Sequence, residues 1–518
     1  MNSNTAAGII EKATSAQSLA TLLNVIKTQS DSPEQHLGLA VEKGREFGML
    51  ESEIRLILTP DLSAKNATRA EVDSVTELQV AQAVAARRKG QIHFVPEQDS
   101  FVVFDEASRV WNKDSGGAIA REILAVLAEV KERGIEQARH GSDKGAKVIA
   151  ATLRAERSSF VEGAARLLKA LPGITMHQEF FDSDPLLVGL KSGEVLDLRS
   201  AKVRPMVAGD YVTRTLNAPF DIAAGCPRFL EFLEQVQPNP AIRRYIQKSL
   251  GYSLSGLTEV QSVNFAYGLG ANGKSVLLGL WLWLMGGYGR MLPSETLMDR
   301  GADAGVPNDV ATLVGVRFAL ANELPDGRKW AETLLKQLSG GDRMVARYLF
   351  REYFEFTPRA KIWVAGNHKP FVSGSDYGFW RRLALVLFGV TIPEAERDAK
   401  LFEKMQKEAS GILNWGIEGW KLYQQEGLSL PDEIRKETAS YQADSDIVGQ
   451  FLEAECEAGD YEITASSLYS SFRYWCEENG FHKMTANSFG RKLSERGISD
   501  EKRGGIKYRR GIRLRRGG

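Results

Sequence analysis

The first 75 residues carry apolar positions at the spacing of amphipathic helices. Apolar residues recur every three or four positions in LATLLNVI and again in VEKGREFGMLESEIRLIL. Polar breaks at Ser30 to Pro33 and at Pro60 to Asn66 interrupt the pattern. A small helical region is therefore predicted over residues 1–75.

The next segment, residues 76–215, mixes two periodicities. Apolar runs in IHFVPE and FVVFDEASRVW predict strands, and the Ala- and Leu-rich stretch from Gly117 to about Lys169 predicts helix. A turn at Lys191 to Gly193 divides the strand-like PLLVGLKSGEVLDLRS. Beyond this segment, Pro227 to Leu257 is helical again. The segment is expected to be a mixed α/β domain.

From Gln261 the pattern becomes strand, glycine-rich loop and helix, with further apolar strands at Val314 to Ala321 and Lys361 to Ala365. This alternation predicts an α/β layer with nucleotide chemistry at its strand ends. After about Ile447, three helical patterns precede a strand pair rich in Arg and Gly. The predicted fold class is multidomain α/β, divided at 1–75, 76–215, 216–440 and 441–518.

Composition agrees with several globular domains. The chain has 518 residues, of which 43% are hydrophobic and 25% charged. Its net charge of zero argues against a protein that coats nucleic acid with its whole surface. Near the end, however, residues 441–480 hold nine acids and one arginine (−8), and residues 481–518 hold twelve Lys or Arg and three acids (+9).

Targeting and redox signals are weak. The three cysteines, Cys226, Cys456 and Cys476, form no CxxC pair, which excludes a disulfide framework and favours a reducing cytoplasm. The start lacks a basic stretch followed by an apolar one, and the longest apolar run, Val276 to Met285, is too short to span a bilayer. A cytoplasmic protein without a membrane partner is expected.

The strongest chemical motif is a phosphate-binding loop. Gly268, Gly273, Lys274 and Ser275 have the G-x-x-x-x-G-K-[ST] spacing, between an apolar strand and an apolar helix. Backbone N–H groups of such a loop, with candidate residues Gly270 and Asn272 inside it, surround phosphates; the lysine reaches the β and γ phosphates, and the serine hydroxyl ligates Mg²⁺. ATP and Mg²⁺ are the expected cofactors, although kinases, GTPases and motors all share this loop.

Two later strands end in polar residues. VGVRFALANELPDG ends in Asn322 and Glu323, where an NTPase needs an acid to hold Mg²⁺ and polarise water. AKIWVAGNHKP ends in Asn367, a neutral amide suited to orienting water or sensing the γ phosphate, with His368 beside it. Each residue taken alone also fits an ordinary strand end facing solvent.

Together these motifs resemble a known family. GLGANGKS, RFALANE, LLKQLSGGDRMVARYLFREYFEFTPRAKIWVAGNHKP and DYGFWRRLALVLF are similar, in this order, to the helicase part of the phage, plasmid and poxvirus primase-helicases, which are superfamily 3 helicases. The resemblance covers about residues 76–440. It implies an AAA+-like fold, a homo-hexameric ring with ATP at subunit interfaces, and a DNA single strand in the central channel.

The resemblance also assigns roles to residues. It makes the loop Gly268 to Ser275 Walker A, Glu323 the Walker B acid and metal ligand, and Asn367 sensor 1. Arg381 and Arg382 stand where the family places its arginine finger, and either one fits. In ARYLFREYFEF, the family's channel hairpin, Arg347 and Arg351 become candidate DNA contacts, whereas the aromatic residues Tyr348 and Tyr353 are expected to pack.

Three features depart from the family or lie outside it. Asn322 stands where many related ATPases carry a first Walker B acid, which leaves Glu323 to serve alone. Only about 75 residues precede the accessory domain at 76–215, so priming activity is not expected and a separate primase or polymerase becomes a possible partner. Asp182 and Asp184 form a D-x-D, which is read as a solvated loop.

The last segment resembles a winged helix, whose third helix enters the major groove. The polar face of that helix presents Asn487, Ser488, Arg491 and Lys492, and eight Lys or Arg residues follow between Lys502 and Arg516. The strand pair adds three candidate nucleic-acid contacts: Lys507, Arg509 and Arg510. A solvated basic tail and a protein-binding winged helix are the alternatives.

The sequence thus predicts an ATP-dependent, ring-shaped DNA helicase or translocase that acts in the replication of a phage, plasmid or other mobile element. One alternative is a nucleotide-switched scaffold that binds an origin and recruits another motor. Another, a P-loop kinase, is disfavoured because the sequence shows no lid or acceptor-site pattern and does show a DNA-type terminus.

Overall fold

A computed structural model describes residues 37–46, 75–301, 308–348, 353–372, 377–481 and 484–515. The chain divides into two compact units, one formed by Met1–Phe94 with Asp114–Thr175 and the other by Val95–Lys113 with Met176–Gly518. Most of the helical region predicted for residues 1–75 lies outside the described residues.

The first unit is mainly helical. Its helices are α1 (Leu37–Glu46), α2 (Glu77–Arg87), α3 (Ala118–Arg139), α4 (Asp143–Ala155) and α5 (Ser158–Lys169), and the strand β1 (Ile92–Val95) lies where the chain passes to the second unit. α3 packs along α4, and α2 packs against α5. At the α3–α4 crossing, a Cβ on Gly145 would overlap the backbone carbonyl of Gly134.

The second unit begins with short antiparallel strands. β2 pairs with β3, and β4, β5 and β6 form a three-stranded sheet. The buried Arg317 fastens this region to the main sheet by donating to the Leu187 and Leu254 carbonyls at 2.8 and 2.6 Å. The strands are β2 (Ser100–Asp105), β3 (Val110–Lys113), β4 (Leu187–Gly189), β5 (Glu194–Asp197) and β6 (Lys202–Pro205).

The centre of this unit is a five-stranded parallel sheet in the order β13-β7-β12-β9-β8. Side chains alternate between two buried clusters: Ala266 and Trp363 face one, and Phe265 and Val364 face the other. Burial on both faces explains why the strands read as continuous apolar runs. The strands are β7 (Val263–Tyr267), β8 (Gly289–Leu292), β9 (Phe318–Asn322), β12 (Lys361–Gly366) and β13 (Leu383–Leu387).

Helices cover both faces of the sheet. α6, α7, α8 and α13 contribute to the cluster around Trp363, whereas α9, α10, α11 and part of α14 contribute to that around Phe265. An antiparallel hairpin pairs β10 (Met344–Arg347) with β11 (Tyr353–Phe356). The helices are α6 (Pro227–Val236), α7 (Pro240–Tyr252), α8 (Lys274–Met285), α9 (Asn308–Ala311), α10 (Glu332–Gly340), α11 (Tyr377–Trp380), α12 (Leu401–Gln406), α13 (Ala409–Glu426) and α14 (Asp432–Ser445).

One strand boundary differs from the sequence expectation. The strand predicted from Val314 begins only at Phe318, because Gly315 has a φ of +71° and the Val314 carbonyl accepts a bond from Arg214 Nη2 at 2.6 Å.

The last segment has the order helix, strand, helix, helix, strand, strand. The three predicted helices are present, and a strand absent from the sequence prediction, β14, pairs with β16 in the sheet β14-β16-β15. These elements are α15 (Ile447–Glu455), β14 (Cys456–Thr464), α16 (Ala465–Glu478), α17 (Ala486–Glu495), β15 (Asp500–Arg503) and β16 (Ile506–Leu514). Across the described residues, no helix combines the length and apolar character needed to cross a membrane.

Candidate functional site

The glycine-rich loop joins the end of β7 to the start of α8. Gly270, Ala271 and Gly273 have φ angles of +107°, +48° and +77°, so the backbone turns back on itself. Such a left-handed turn directs successive N–H groups to one side, where the N-terminus of α8 adds its positive dipole. The loop is therefore shaped to surround an anion.

Two loop glycines are required by close packing. A Cβ on Gly268 would overlap the Phe388 carbonyl and the Asn272 side-chain amide, and a Cβ on Gly273 would overlap the Val236 side chain. Asn272, 2% exposed, donates from Nδ2 to the Phe388 carbonyl at 3.0 Å. The loop is thus held against α6 and the segment after β13.

The Lys274 ammonium group is the centre of the hydrogen bonding. Its Nζ donates to Asn367 Oδ1 at 2.6 Å, to the Gly268 carbonyl at 3.0 Å and to Asn272 Oδ1 at 3.3 Å. The residue is only 6% exposed, and this burial lowers the pKa of its ammonium group. The structure therefore brings Lys274 and Asn367 together, although 93 positions separate them.

Glu323 follows directly after β9 and has an exposed side chain. Its N–H donates to the Ala365 carbonyl of β12 at 3.1 Å, and its φ of +57° is left-handed. Such a conformation costs a non-glycine residue about 1–3 kcal/mol and is found most often at functional sites. The bond to β12 holds the carboxylate-bearing residue at the carboxyl edge of the sheet.

A cavity of about 560 Å³ collects these groups. Its volume lies within the range of small-molecule sites. Sequence reasoning missed Asp326, whose carboxylate lies 3.8 Å from His368 Nδ1; its signal was its position three residues after Glu323. Chemically active lining residues are Lys274, Ser275, Glu323, Asp326, Asn367 and His368.

These residues fit a magnesium-bound nucleoside triphosphate. The loop from Gly270 to Lys274 lines the cavity, and the Ser275 hydroxyl and Glu323 carboxylate supply oxygen ligands in the same cavity. Among the described residues no group of three His, Cys, Asp or Glu could hold a metal alone. Mg²⁺ commonly takes one or two protein oxygens and completes its shell with phosphates and water, which matches this donor set.

Arg381 and Arg382 lie elsewhere. They precede β13, whereas the glycine-rich loop follows β7, and Leu383 pairs with Val263 at the starts of these parallel strands. Arg381 is exposed and donates to Gln261 Oε1 at 2.6 Å. Arg382 is half-buried, and its Nη1 donates to the Gly378 carbonyl of the short helix that precedes it. The structure does not bring either arginine to the cavity of its own chain.

The hairpin places Arg347 on its exposed face, with the guanidinium 5.1 Å from the Tyr353 ring centroid. Tyr348 stacks on Phe354 with ring centroids 5.0 Å apart, whereas Tyr353 is 65% exposed. Packing was therefore the correct expectation for Tyr348 only. Arg351 lies outside the described residues.

The C-terminal candidates separate into two groups. Arg491 is exposed on α17, with Lys492 half-buried beside it; Lys507 and Arg510 are exposed on β16 and pair with Asp500 and Glu501. The sequence also placed Arg509 among the DNA contacts, and the burial of its side chain contradicts this.

Arg509 is only 3% exposed. It donates to Ser494 Oγ at 2.9 Å and to the Gly490 and Ile498 carbonyls at 2.8 and 3.2 Å. Because these contacts turn its guanidinium inward, Arg509 holds α17 to the strand pair and does not face a phosphate.

Comparisons with known proteins agree with these motifs. Residues 81–238 match the family described as D5 N terminal like, and residues 443–504 match the family described as Poxvirus D5 protein-like. These matches confirm the resemblance expected from the sequence, to superfamily 3 helicases of the phage, plasmid and poxvirus type.

Curated relatives come from large DNA viruses. The chain is 25% identical over 329 residues to "Putative helicase L207/L206" of Acanthamoeba polyphaga mimivirus, covering 58% of this chain and 34% of that protein. It is 26% identical over 335 residues to "Putative helicase 121R" of Invertebrate iridescent virus 3, covering 57% and 35%. The chain spans about a third of the length of these relatives.

Among solved structures, the A form of the apo NrS-1 C-terminal region aligns with 84% of this chain and 99% of that chain, at 10% identity and a TM-score of 0.44. A second apo structure of the same region gives a TM-score of 0.46 at the same identity and coverage.

Proposed function

We propose that the chain is an ATP-driven DNA helicase or translocase that works as a ring in the replication of a virus, phage or plasmid. The observation that carries the proposal is the convergence of Lys274, Asn367 and Glu323 on one cavity at the ends of three adjacent parallel strands. The names of its viral relatives support the same activity.

Several features of the fold support an AAA+-like motor. The strand before the phosphate loop, β7, is flanked on one side by β12 and β9, which end in the amide and the acid, and on the other by β13, which follows the arginine pair. Nucleotide chemistry at the carboxyl ends of parallel strands is the general rule for such sheets. We accordingly assign residues 216–440 to the motor and 441–518 to a winged helix.

Within the site, the residues divide the work of binding and hydrolysis. Backbone N–H groups of the loop and Lys274 hold the β and γ phosphates, Ser275 and Glu323 hold Mg²⁺, and Glu323 also polarises the attacking water. Asn367 orients that water or senses the γ phosphate. Bound Mg²⁺ supplies charge neutralisation for the phosphoryl transfer.

The arginine finger comes from a neighbouring subunit. Five strand residues at about 3.3 Å each place Arg381 and Arg382 about 16 Å from the loop of their own chain. Arg381 is the better candidate because its side chain is exposed and donates to Gln261, whereas half-buried Arg382 donates to the Gly378 carbonyl of the short helix that precedes it. A ring would bring Arg381 to the next subunit's cavity.

DNA contacts would come from two places. Arg347 on the hairpin and Arg351 outside the described residues follow phosphates in the channel. The helix-strand-helix-helix-strand-strand order supports a winged helix, in which Arg491, Lys492, Lys507 and Arg510 face DNA.

The first test is nucleic-acid-stimulated ATP hydrolysis by the purified chain, with Lys274→Ala beside a matched control, Lys202→Ala, on the exposed strand β6. We expect Lys274→Ala to abolish hydrolysis and Lys202→Ala to retain it. Hydrolysis that single-stranded DNA does not stimulate, or that survives Lys274→Ala, would remove the basis of the proposal.

A further inference from the structure

A second cavity, of about 370 Å³, opens beside the carboxyl end of β13. It shares no lining residue with the phosphate cavity. Its wall is formed by the α6–α7 connection, the end of β13 and one side of α14. The residues used below are Gln237, Asn239, Ile242, Leu387, Glu433 and Glu437.

The two cavities are nevertheless neighbours. Gln237 Nε2 donates to the Leu387 carbonyl at 2.9 Å on the second cavity's side, and Asn272 Nδ2 donates to the next carbonyl, Phe388, at 3.0 Å on the loop's side. Leu387 and Phe388 are consecutive, so their Cα atoms are about 3.8 Å apart. Val236, directly before Gln237, also touches the loop at Gly273. The same two chain segments therefore separate the cavities.

The strand order of the sheet determines the orientation of a nucleotide bound at the loop. Asn367 and Glu323 follow β12 and β9, on one side of β7, so the γ phosphate belongs on that side. β13 lies on the opposite side of β7. A triphosphate held by the loop between these strands would extend its nucleoside toward the end of β13, where the second cavity lies.

The chemistry of the cavity suits a base and not a phosphate. Ile242 and Leu387 provide apolar walls, while the carboxylates of Glu433 and Glu437 repel anions. Glu433 Oε1 already accepts a bond from Asn239 Nδ2 at 3.1 Å. The carboxylate of Glu437, a half-buried residue, forms no ion pair or hydrogen bond with any other residue that the structure describes. Its carboxylate is thus an available acceptor facing the cavity.

We infer that this cavity holds the purine base of the nucleotide and that Glu437 selects adenine by accepting a hydrogen bond from its exocyclic 6-amine. The inference rests on the proposed ATPase function and specifies its substrate. Glu437 lies outside the phosphate cavity, so it affects which base binds and leaves the contacts to the phosphates unchanged.

The test compares ATP with purine riboside triphosphate, which lacks only the 6-amine. Dissociation constants are measured by calorimetry with EDTA present to prevent turnover, for the wild-type chain, Glu437→Ala and the control Glu418→Ala on α13. A hydrogen bond to a charged group corresponds to a roughly tenfold preference for ATP. We expect this preference in the wild type and in Glu418→Ala, and its loss in Glu437→Ala with unchanged affinity for purine riboside triphosphate.

Equal binding of the two nucleotides by the wild type, or a preference for ATP that survives Glu437→Ala, would overturn the assignment of Glu437 while leaving the ATPase proposal intact. If the wild type bound neither nucleotide, with EDTA or with Mg²⁺, the proposed function itself would fail. Equal melting temperatures of the three proteins establish that the comparison concerns folded chains.

Discussion

The Lys274 ammonium group donates a hydrogen bond to Asn367 Oδ1 over 2.6 Å, which joins the phosphate loop after β7 to the polar end of β12. Because β7 and β12 pair in parallel, with Gly366 opposite Tyr267, both residues emerge at the same edge of the sheet. In the proposed function, a γ phosphate that attracts Lys274 would replace this contact, and Asn367 would respond to the change.

This contact predicts separate effects for its two partners. In Asn367→Ala, Lys274 keeps the Gly268 and Asn272 acceptors, so nucleotide affinity should change less than threefold while hydrolysis falls about 10²-fold. Lys274→Ala should weaken both binding and hydrolysis. Equilibrium binding and single-turnover hydrolysis measure the two effects; equal losses of affinity in the two variants would contradict the assignment.

The loop glycines should differ in tolerance. Both Gly270 and Gly273 have positive φ, which costs alanine about 1–3 kcal/mol. In Gly273→Ala the new Cβ would also overlap the Val236 side chain. A Cβ added at Gly270 would have no atom within 4 Å. Urea unfolding should therefore show the larger destabilisation for Gly273→Ala, and equal values would argue against the packing described.

The shared site predicts complementation between subunits. Arg381→Ala and Lys274→Ala should each abolish ATP hydrolysis, but a mixture should recover part of it, since an intact Lys274 site then meets an intact Arg381 from a neighbour. Arg382→Ala serves as the comparison and should lower stability, since the Arg382 side chain donates to the Gly378 carbonyl of α11. Failure of the mixture to exceed either parent would contradict a composite site.

Two arginines of the C-terminal segment should behave differently. Arg491→Ala should weaken DNA binding and reduce its salt dependence by about one counterion, with no loss of stability. Arg509→Ala should lower the melting temperature, because three acceptors would lose their buried donor. Salt-titrated DNA binding and thermal unfolding distinguish them; equal effects on both properties would contradict this division.

Lys361 gives a prediction in pH. Burial, then the nearby Arg317 and Arg359, lower the pKa of its ammonium group well below 10.5. The unfolded chain therefore binds more protons than the folded chain between the two pKa values, so this residue's contribution to the free energy of unfolding rises with pH across that window. Below the folded pKa the cost of burying the charge is fully present.

Lys361→Met removes that titration. Its free energy of unfolding relative to wild type should fall as pH rises from about 7 to about 10, by at most about 1.4 kcal/mol per pH unit. Tyr252, whose ring lies 4.5 Å from the ammonium group, has a pKa raised to about 12 and stays neutral throughout. Urea unfolding at several pH values measures the difference, and a constant difference would contradict a depressed pKa.

Local patterns were sufficient for much of the fold. The apolar runs predicted β7, β12 and the helix α8. A continuous apolar run is buried whatever element packs against it, so its own sequence is a sufficient signal. β14 was missed because its sequence, CEAGDYEIT, is largely polar and exposed; only its pairing with β16 defines it as a strand. The sequence did not distinguish Arg509 from its basic neighbours, because the burial of its side chain depends on where α17 packs.

The sequence identified candidate residues of the site but not their geometry. The loop spacing predicted Lys274, and the polar ends of two later strands predicted Glu323 and Asn367. The left-handed conformation of Glu323 and the bond between Lys274 and Asn367 depend on contacts between residues far apart in the chain, 93 positions in the case of Lys274 and Asn367. Asp326 was missed because its position three residues after Glu323 is a weak signal for an exposed acid in a turn.

Strand displacement on a forked DNA substrate tests the central claim most directly. With ATP, the wild-type chain should separate the strands, and Lys274→Ala, which loses the contact to Asn367, should not. DNA binding and ATP binding by the wild-type chain without any strand displacement would contradict a motor and favour the origin-binding scaffold instead.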